Sequence, residues 1–401
     1  MKKRIAIIGS SFAGYTAAVR LAKQLSGNHE IIVIDRKPDF VFLPSFVWYP
    51  FGYRNTDDIS FDARPIYDEL NIRFIKTNVY GFDLEDQLIY TPKKDISYDY
   101  LLIATGARPR YESIKGLKPG KNSWSISDLS HAKETRKAWK KFLMNPGSMV
   151  IGAAQWAGYF FAAYEFLLNT LYHLDKNHLL DDLTVHFITP EPYLSHFGIG
   201  GLGHDPDNCR HLFEMLGVNC HINTEIHQVK PSEVVLENGE HLPSDFTMII
   251  PQFIGVDAVR TTRKLADEHG LIKVTDEFYH PKYPNVYAAG ASVSIPQAHE
   301  TPIGLGVPRT QKMSELMART AALNIAADIQ GGVRHKLTTE ELYQQCQFDM
   351  DHLSRMIFGE ERPGKDTLHL IEKGSQEKWA NMTLKRYIEA SFTEEYLSTI
   401  P

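Results

Sequence analysis

What most constrains this chain is a nucleotide-binding signature broken into pieces that are spread from Arg4 to Gly290. The run RIAIIGSSFAG, Arg4 to Gly14, passes from an apolar strand through a glycine turn into a helix, and the next apolar strand, IIVID, ends on Asp35. Much later YDYLLIATG closes on Gly106 and VYAAG closes on Gly290. Strand, turn, helix and a strand ending in an acid are the means by which an α/β sheet cradles a dinucleotide. Phosphate sits at the positive end of the helix and the acid accepts from ribose hydroxyls. Pieces so far apart imply one dinucleotide-binding domain that another domain interrupts and that the returning chain completes, an arrangement suited to an extended FAD.

The β-α-β pattern is used twice. The strand SMVIG, a turn, an aromatic-rich helix from Tyr159 to Leu168 and the strand LTVHFIT make a second unit, and VVLENGEHLPSDFTMII reads as a hairpin feeding a further strand. A helix from about Pro308 to Ile329 belongs again to the first domain and ends on the glycines after Gln330. The expected fold is α/β: two Rossmann-like domains, the first interrupted by the second, with a C-terminal helical tail. Residues 1–115 and 283–340 are assigned to the FAD-binding domain, 116–282 to the second nucleotide-binding-like domain and 341–401 to the tail.

Composition removes several classes of function. A chain of 401 residues with a formal charge of −6 offers no basic surface on which nucleic acid could depend. Cys209, Cys220 and Cys346 form no CxxC pair and no zinc spacing, so neither a disulfide framework nor a metal is expected, and a reducing cytoplasmic setting fits. The uncharged stretch from Phe142 to Tyr164 is broken by Pro146, Gly147 and Gln155 and reads as strand, turn and helix rather than a membrane span. The first apolar run stops at Gly9 and reads as a strand rather than a signal peptide. In the tail, Trp379, Met382, Leu384, Tyr387, Ile388 and Phe392 recur at helical spacing. Lys378, Lys385 and Arg386 are offset by Glu377, Glu389, Glu394 and Glu395, so docking on the protein's own surface is favoured, and a weak peripheral contact at the inner face of the membrane stays open. The oligomeric state is not legible.

In the fingerprint of the first turn the three glycine positions are held by Gly9, Ser11 and Gly14, with Ser11 a departure. The residues expected along the cofactor begin with Gly9, Ser11, Phe12, Ala13, Gly14, Asp35 and Arg36. They continue through Pro44, Ser45, Val79, Ala104, Thr105 and Gly106 to Gly290, Ala291, Pro302 and Arg309. In the second turn the same register falls on Gly152, Ala154 and Ala157, with Trp156 beside them. Each lost glycine adds a Cβ where phosphate should approach, so a nicotinamide coenzyme is disfavoured there.

FLPS (Phe42 to Ser45), SYDYLLIATG, ITPEPYLSHFGIGGLG, MIIPQFIGV, VYAAGASVSIP, TPIGLGVPRTQKM and CQFDM occur in an order that resembles the sulfide:quinone oxidoreductases. KWANMTLKRYI extends the resemblance into the tail. It implies FAD and delivery of electrons from the reduced flavin to a quinone; no local signature marks a residue that attaches the flavin, so non-covalent binding is expected, with a quinone or another small molecule as acceptor. Members of that family use cysteine thiolates to attack and carry sulfide sulfur. Here Tyr159 and Ser127 stand where two of those cysteines belong, and only Cys346 matches the third. One thiol cannot close an intramolecular bridge, so sulfide oxidation by the family route is in doubt. Cys346 reads either as a flavin-facing thiol or as a small buried hydrophobe. His131, Glu165 and His196 match polar family positions on the substrate side, where acid and base groups serve proton-coupled electron transfer. Arg309 stands where the family usually has lysine, and reads either as a cation stabilising negative charge on reduced flavin or as a salt-bridge partner. An NADH:quinone oxidoreductase and a non-catalytic flavin sensor are the alternatives; the donor is not identified.

Overall fold

The computed structural model describes residues 1–25, 27–180, 183–201, 206–303 and 310–358, with side chains as far as Asp349. The first four strands of its larger sheet are β1 (Arg4–Ile8), β2 (Glu30–Asp35), β3 (Arg73–Lys76) and β4 (Tyr100–Ile103). The chain then builds a second parallel sheet from β5 (Met149–Ala153), β6 (Val185–Ile188), β7 (Val218–His221) and β8 (Phe246–Ile250). It returns to the first sheet with β9 (Tyr279–His280) and β10 (Tyr283–Ala288). The strand orders are β9-β10-β4-β1-β2-β3 and β7-β6-β5-β8. All neighbours in the large sheet are parallel except β9 and β10. Two Rossmann-like units, one interleaved in the other, are therefore the architecture.

Parallel strands covered on both faces need near-continuous apolar runs, which is why IAII, LLI and MVIGA carry no alternation. Ile5, Ala6, Ile7, Leu101, Leu102 and Ile103 are fully buried. Helix α1 (Phe12–Gln24) follows β1, α2 (Leu129–Phe142) precedes β5, α3 (Phe160–Lys176) follows it, and α4 (Pro206–Met215) leads to β7. Two long helices, α5 (Gln311–Gln330) and α6 (Thr339–Phe358), come last. In α5 the Thr310 hydroxyl accepts from the Met313 N–H, and Gly331 ends the helix at φ +75°, the glycine stop expected from sequence. An antiparallel ribbon of Ala107–Pro109 against Phe253–Gly255 joins the two units.

Several boundaries differ from expectation. Helix α1 starts at Phe12, inside the glycine fingerprint, because the reversal is complete at Gly9 and the Ser11 carbonyl already accepts from the Tyr15 N–H. Helix α3 runs on to Lys176, well past Leu168, since Leu171 and Leu174 continue its buried face. The uncharged stretch from Phe142 divides into a helix end, β5, a turn and the start of α3, and among the described residues no helix is long and apolar enough to cross a membrane. Pro308 and the stretch from Trp379 to Phe392 lie outside the described residues.

Candidate active site

The first turn is shaped by missing Cβ atoms. Gly9 sits at φ +105°, and a Cβ there would lie 2.3 Å from the Ala104 carbonyl oxygen; one on Gly14 would lie 1.9 Å from the Gly9 carbonyl oxygen. Strand end and helix start thus approach more closely than any side chain allows. The departure at Ser11 costs nothing: its backbone is extended, φ −92° and ψ −162°, and its side chain is exposed. Beyond it, the N–H groups of Ala13 and Gly14 have no intrahelical acceptor, and no acid occupies the first turn to repel phosphate. Asp35 accepts from the Ser10 N–H at 2.8 Å with one oxygen and from the Lys37 N–H at 3.1 Å with the other, which leaves further lone pairs for ribose hydroxyls. The Ser10 hydroxyl lies 2.7 Å from the Tyr67 hydroxyl.

Distant segments meet on this turn. Gly290, at φ +77°, would place a Cβ 3.0 Å from the Ala13 Cβ and 3.4 Å from the Ser314 Oγ, so the returning chain, α1 and α5 converge there. Ala291 lies in the same short turn, Gly290–Ser292. Gly106 takes φ +68° with open space beside it, next to Ala104 and Thr105. Pro44 and Ser45 belong to a 3-10 turn, Leu43–Val47. Val79 is half-buried, Arg36 and Pro302 are exposed, and Arg309 lies outside the described residues. The glycine cradle, the helix start and Asp35 fit the phosphates and ribose of FAD.

The second turn spends its backbone on itself. The Ala154 N–H donates to the Ile250 carbonyl at 2.9 Å and the Ala157 N–H to the Ala154 carbonyl at 3.1 Å. The Gln155 amide is paired at both ends with the Ile226 backbone, at 3.0 and 3.2 Å. Trp156 is held at φ +65° with 57% of its surface exposed. Gly152 is a packing glycine, since a Cβ would meet the Ile188 carbonyl oxygen at 2.0 Å.

The proposed catalytic residues have different surroundings, and among the described residues His196 and Cys346 are tied through neighbouring elements. Tyr159 precedes α3, half-buried, its ring edge-on to Phe253 at 5.1 Å. Glu165, on α3, accepts from the Trp48 indole N–H at 3.1 Å. His196 is fully buried, and burial lowers its pKa. Cys346, on α6, is also fully buried, and burial together with Asp349 pushes its thiol up to about 12. Tyr343, one turn earlier, donates to the Ile199 carbonyl at 2.9 Å, so α6 rests on the loop that carries His196. His131, on α2, sits elsewhere. Its Nδ1 lies 2.9 Å from the Asp128 carboxylate and 3.5 Å from the Tyr111 hydroxyl. That hydroxyl is 2.5 Å from Ser125 Oγ, itself 3.1 Å from Ser127 Oγ.

Sequence reasoning missed Glu191. It is fully buried, and burial raises its carboxyl to about 7 against the opposing hydrogen bonds of Thr189, Tyr164 and Phe197. The signal was its place: Glu191 follows β6, just past where the second strand of a nucleotide fold carries its acid, as β2 carries Asp35. Cys209 and Cys220 are no more reactive than Cys346, since burial pushes the first well up and the second up to about 12. No disulfide joins any of the three.

The profile of the pyridine nucleotide-disulphide oxidoreductases matches residues 3–304. The chain is 34% identical over 336 residues to the sulfide-quinone reductase of Aquifex aeolicus, covering 82% of this chain and 77% of that one. The crystal structure of the sulfide:quinone oxidoreductase from that hyperthermophile superposes with a TM-score of 0.78, at the same identity and coverage. The mitochondrial sulfide:quinone oxidoreductase of Mus musculus is 22% identical over 321 residues, covering 73% of this chain and 66% of its own. An NAD-dependent persulfide reductase from A. fulgidus shares the fold, with a TM-score of 0.64 at 19% identity over 84% of this chain and 60% of that one.

Proposed function

Given that the chain belongs to the pyridine nucleotide-disulphide oxidoreductases, and within them is an FAD-dependent oxidoreductase like the sulfide:quinone oxidoreductases, we propose that it takes electrons from a donor other than free sulfide and delivers them to a quinone-type acceptor. Bound FAD supplies the two-electron carrier between them. The Gly9 and Gly14 backbone, the start of α1 and Asp35 would hold its phosphates and ribose, while Gly290 lets the returning chain approach Ala13 in that cradle.

The observation that carries this reading is the state of the thiols. A sulfur relay needs one thiolate to attack and a second to close the bridge, and only the thiolate is nucleophilic. Tyr159 holds one position with a phenol that cannot form a persulfide. At the other, the Cys346 thiol titrates near about 12 and is shut from solvent, so it is protonated at neutral pH. Both facts support reading Cys346 as a buried hydrophobe and Tyr159 as an aromatic wall. Donation by NADH is opposed by the second turn, whose Ala154 and Ala157 N–H groups already have acceptors where a pyrophosphate would need them.

Anaerobic stopped-flow spectra of the purified flavoprotein against sulfide, small thiols, NADH and NADPH test the proposal. Flavin bleaching by sulfide within the first turnover overturns it. Slow or absent bleaching by sulfide and by both nicotinamides, with reoxidation of dithionite-reduced protein by a short-chain quinone, is the expected result.

A further inference from the structure

Residues 195–201 fold in a manner their sequence alone would not favour. Ser195 and Phe197 both occupy the left-handed region, at φ +62° and +54°, on either side of His196. A non-glycine residue there is uncommon, and Phe is among those least suited to it. The surroundings that hold them are specific. The Ser195 N–H donates to the Tyr164 hydroxyl at 3.0 Å, and the Phe197 N–H donates to one Glu191 oxygen at 2.5 Å. Tyr164 in turn donates to the other Glu191 oxygen at 2.7 Å, which also accepts from the Thr189 hydroxyl at 2.5 Å. The peptides flanking His196 are therefore pinned to one buried carboxylate–phenol pair, on the loop after β6 and on α3.

The ring between them is also determined. His196 Nδ1 accepts from the Gly198 N–H at 3.1 Å, so in the neutral imidazole the proton is on Nε2. That Nε2 is buried and has no hydrogen-bond partner among the described residues. A buried donor left without an acceptor is costly and uncommon in native structures, and a bound group supplying a carbonyl oxygen would satisfy it.

We propose that Glu191 and Tyr164 are positioning residues that hold His196 as the Nε2–H tautomer, a preset donor to a carbonyl oxygen of either the flavin or the quinone-type acceptor. This rests on the oxidoreductase reading above for the identity of the carbonyl, but not for the tautomer. No proton leaves the imidazole: it orients and polarises the carbonyl by donating. The groups facing Glu191 are Tyr164, Thr189 and the Phe197 N–H, with Cys209 on α4; the neighbouring thiol is itself pushed up by burial and stays neutral.

The test is histidine-selective ¹⁵N NMR on the flavin-loaded protein, with the His196 signals assigned by their loss in His196→Gln. The wild type is expected to show bare Nδ1 and protonated Nε2. Tyr164→Phe and Glu191→Leu each free one flanking peptide and should raise the Nδ1–H form from under roughly a tenth to about a third or more. Thr170→Val, which removes a buried hydroxyl on α3 that bonds only within the helix, is the control for general destabilisation and should leave the tautomer unchanged. An Nδ1–H ring in the wild type overturns the proposal whatever the variants do. So does an unchanged tautomer in both clamp variants, or an equal change in Thr170→Val. Removing the flavin and adding duroquinone identify the carbonyl: the Nε2 signal moves with the first if it meets the flavin and with the second if it meets the acceptor. A signal that moves with neither overturns the donor role. Since the tautomer is read in the resting protein without any electron donor, failure of the proposed function leaves this result intact.

Discussion

The two nucleotide-fold turns share a buried parallel strand and a following helix, yet they dispose of their backbone differently. In the first, Phe12 begins α1 three positions after Gly9; in the second, Phe160 begins α3 eight positions after Gly152. The short turn has no room for internal hydrogen bonds, so its helix start is left facing outward, ready for an anion. The longer one folds back on itself, donates Ala154 and Ala157 N–H to carbonyls and clamps Ile226 through Gln155. The strand-end acids diverge in the same sense. Asp35 is half-buried with lone pairs to spare, whereas Glu191 is sealed inside and occupied by protein donors. The second turn thus differs from the first by more than two methyl groups: its backbone and Gln155 are bonded into the surrounding structure.

The sharpest way to break this contrast is to place the same methyl in each turn. Gly14→Ala puts a Cβ 1.9 Å from the Gly9 carbonyl oxygen, and Gly152→Ala puts one 2.0 Å from that of Ile188. Each should cost about 3 kcal/mol or more in stability. Only Gly14→Ala should also lower the flavin absorbance per folded protein, by more than about tenfold. Equal flavin loss in both variants, measured on the folded fraction after gel filtration, would erase the functional difference between the turns.

The strand-end acids offer a second test, in pH. Glu191 titrates near about 7 when folded and at the ordinary 4.5 when unfolded, so between those values the folded state holds the extra proton. Stability contributed at this site therefore falls as pH rises through that window and is lost above it, by up to roughly 3 kcal/mol. Half-buried His173 and His186 and buried His280, with pKa values lowered by burial, tilt the whole protein the opposite way. The quantity to measure is therefore the difference between wild type and Glu191→Gln in thermal melts from pH 5 to 8. It should move in favour of the variant as pH rises; a constant difference would mean that Glu191 does not titrate there.

A smaller effect is expected at Trp156. Replacing it by glycine relieves the φ of +65° and should stabilise the fold by about 1 kcal/mol. Because the turn's N–H groups remain occupied, calorimetry should still detect no NADH binding; tight binding would mean that bulk alone had closed the site. Smallest of all should be Cys346→Ala. With a protonated, enclosed thiol the rate of flavin reduction by the competent donor should stay within about twofold of wild type. A loss of a hundredfold would restore the thiol to the chemistry.

Legibility in the sequence followed the physics of each residue. Gly9, Gly14, Gly106 and Gly290 could be read because a backbone that needs positive φ or close approach strongly favours glycine, and Asp35 because it ends an apolar strand. The glycine stop of α5 was legible for the same reason. Glu191 was not: between Pro190 and Pro192 it looks like an acid in a solvated loop, and what occupies it is Tyr164 from α3 together with the Phe197 N–H of its own loop. Nor does local sequence reveal how deeply Cys346 is buried, since the helix that carries it packs on a loop some 150 residues earlier, through Tyr343 and Ile199. The matched positions His131 and His196 lie on separate elements, a separation that alignment cannot show.

The interleaving also dictates an order of synthesis. β4 is made early, but its neighbour β10, whose Val286 pairs with Leu101, emerges only after the whole second unit. Ala289 N–H and Ser292 Oγ, which cap the Ile103 carbonyl, come later still. At about 5–20 residues per second, that interval lasts roughly ten to forty seconds on the ribosome. Throughout it the apolar edge of β4, Leu101 to Ile103, is an unpaired strand edge of the kind that recruits other chains. The uninterrupted second sheet, from Met149 to Ile250, can close meanwhile. The domain that starts first is thus finished last, and the nascent chain is most vulnerable at a strand that the mature protein buries completely.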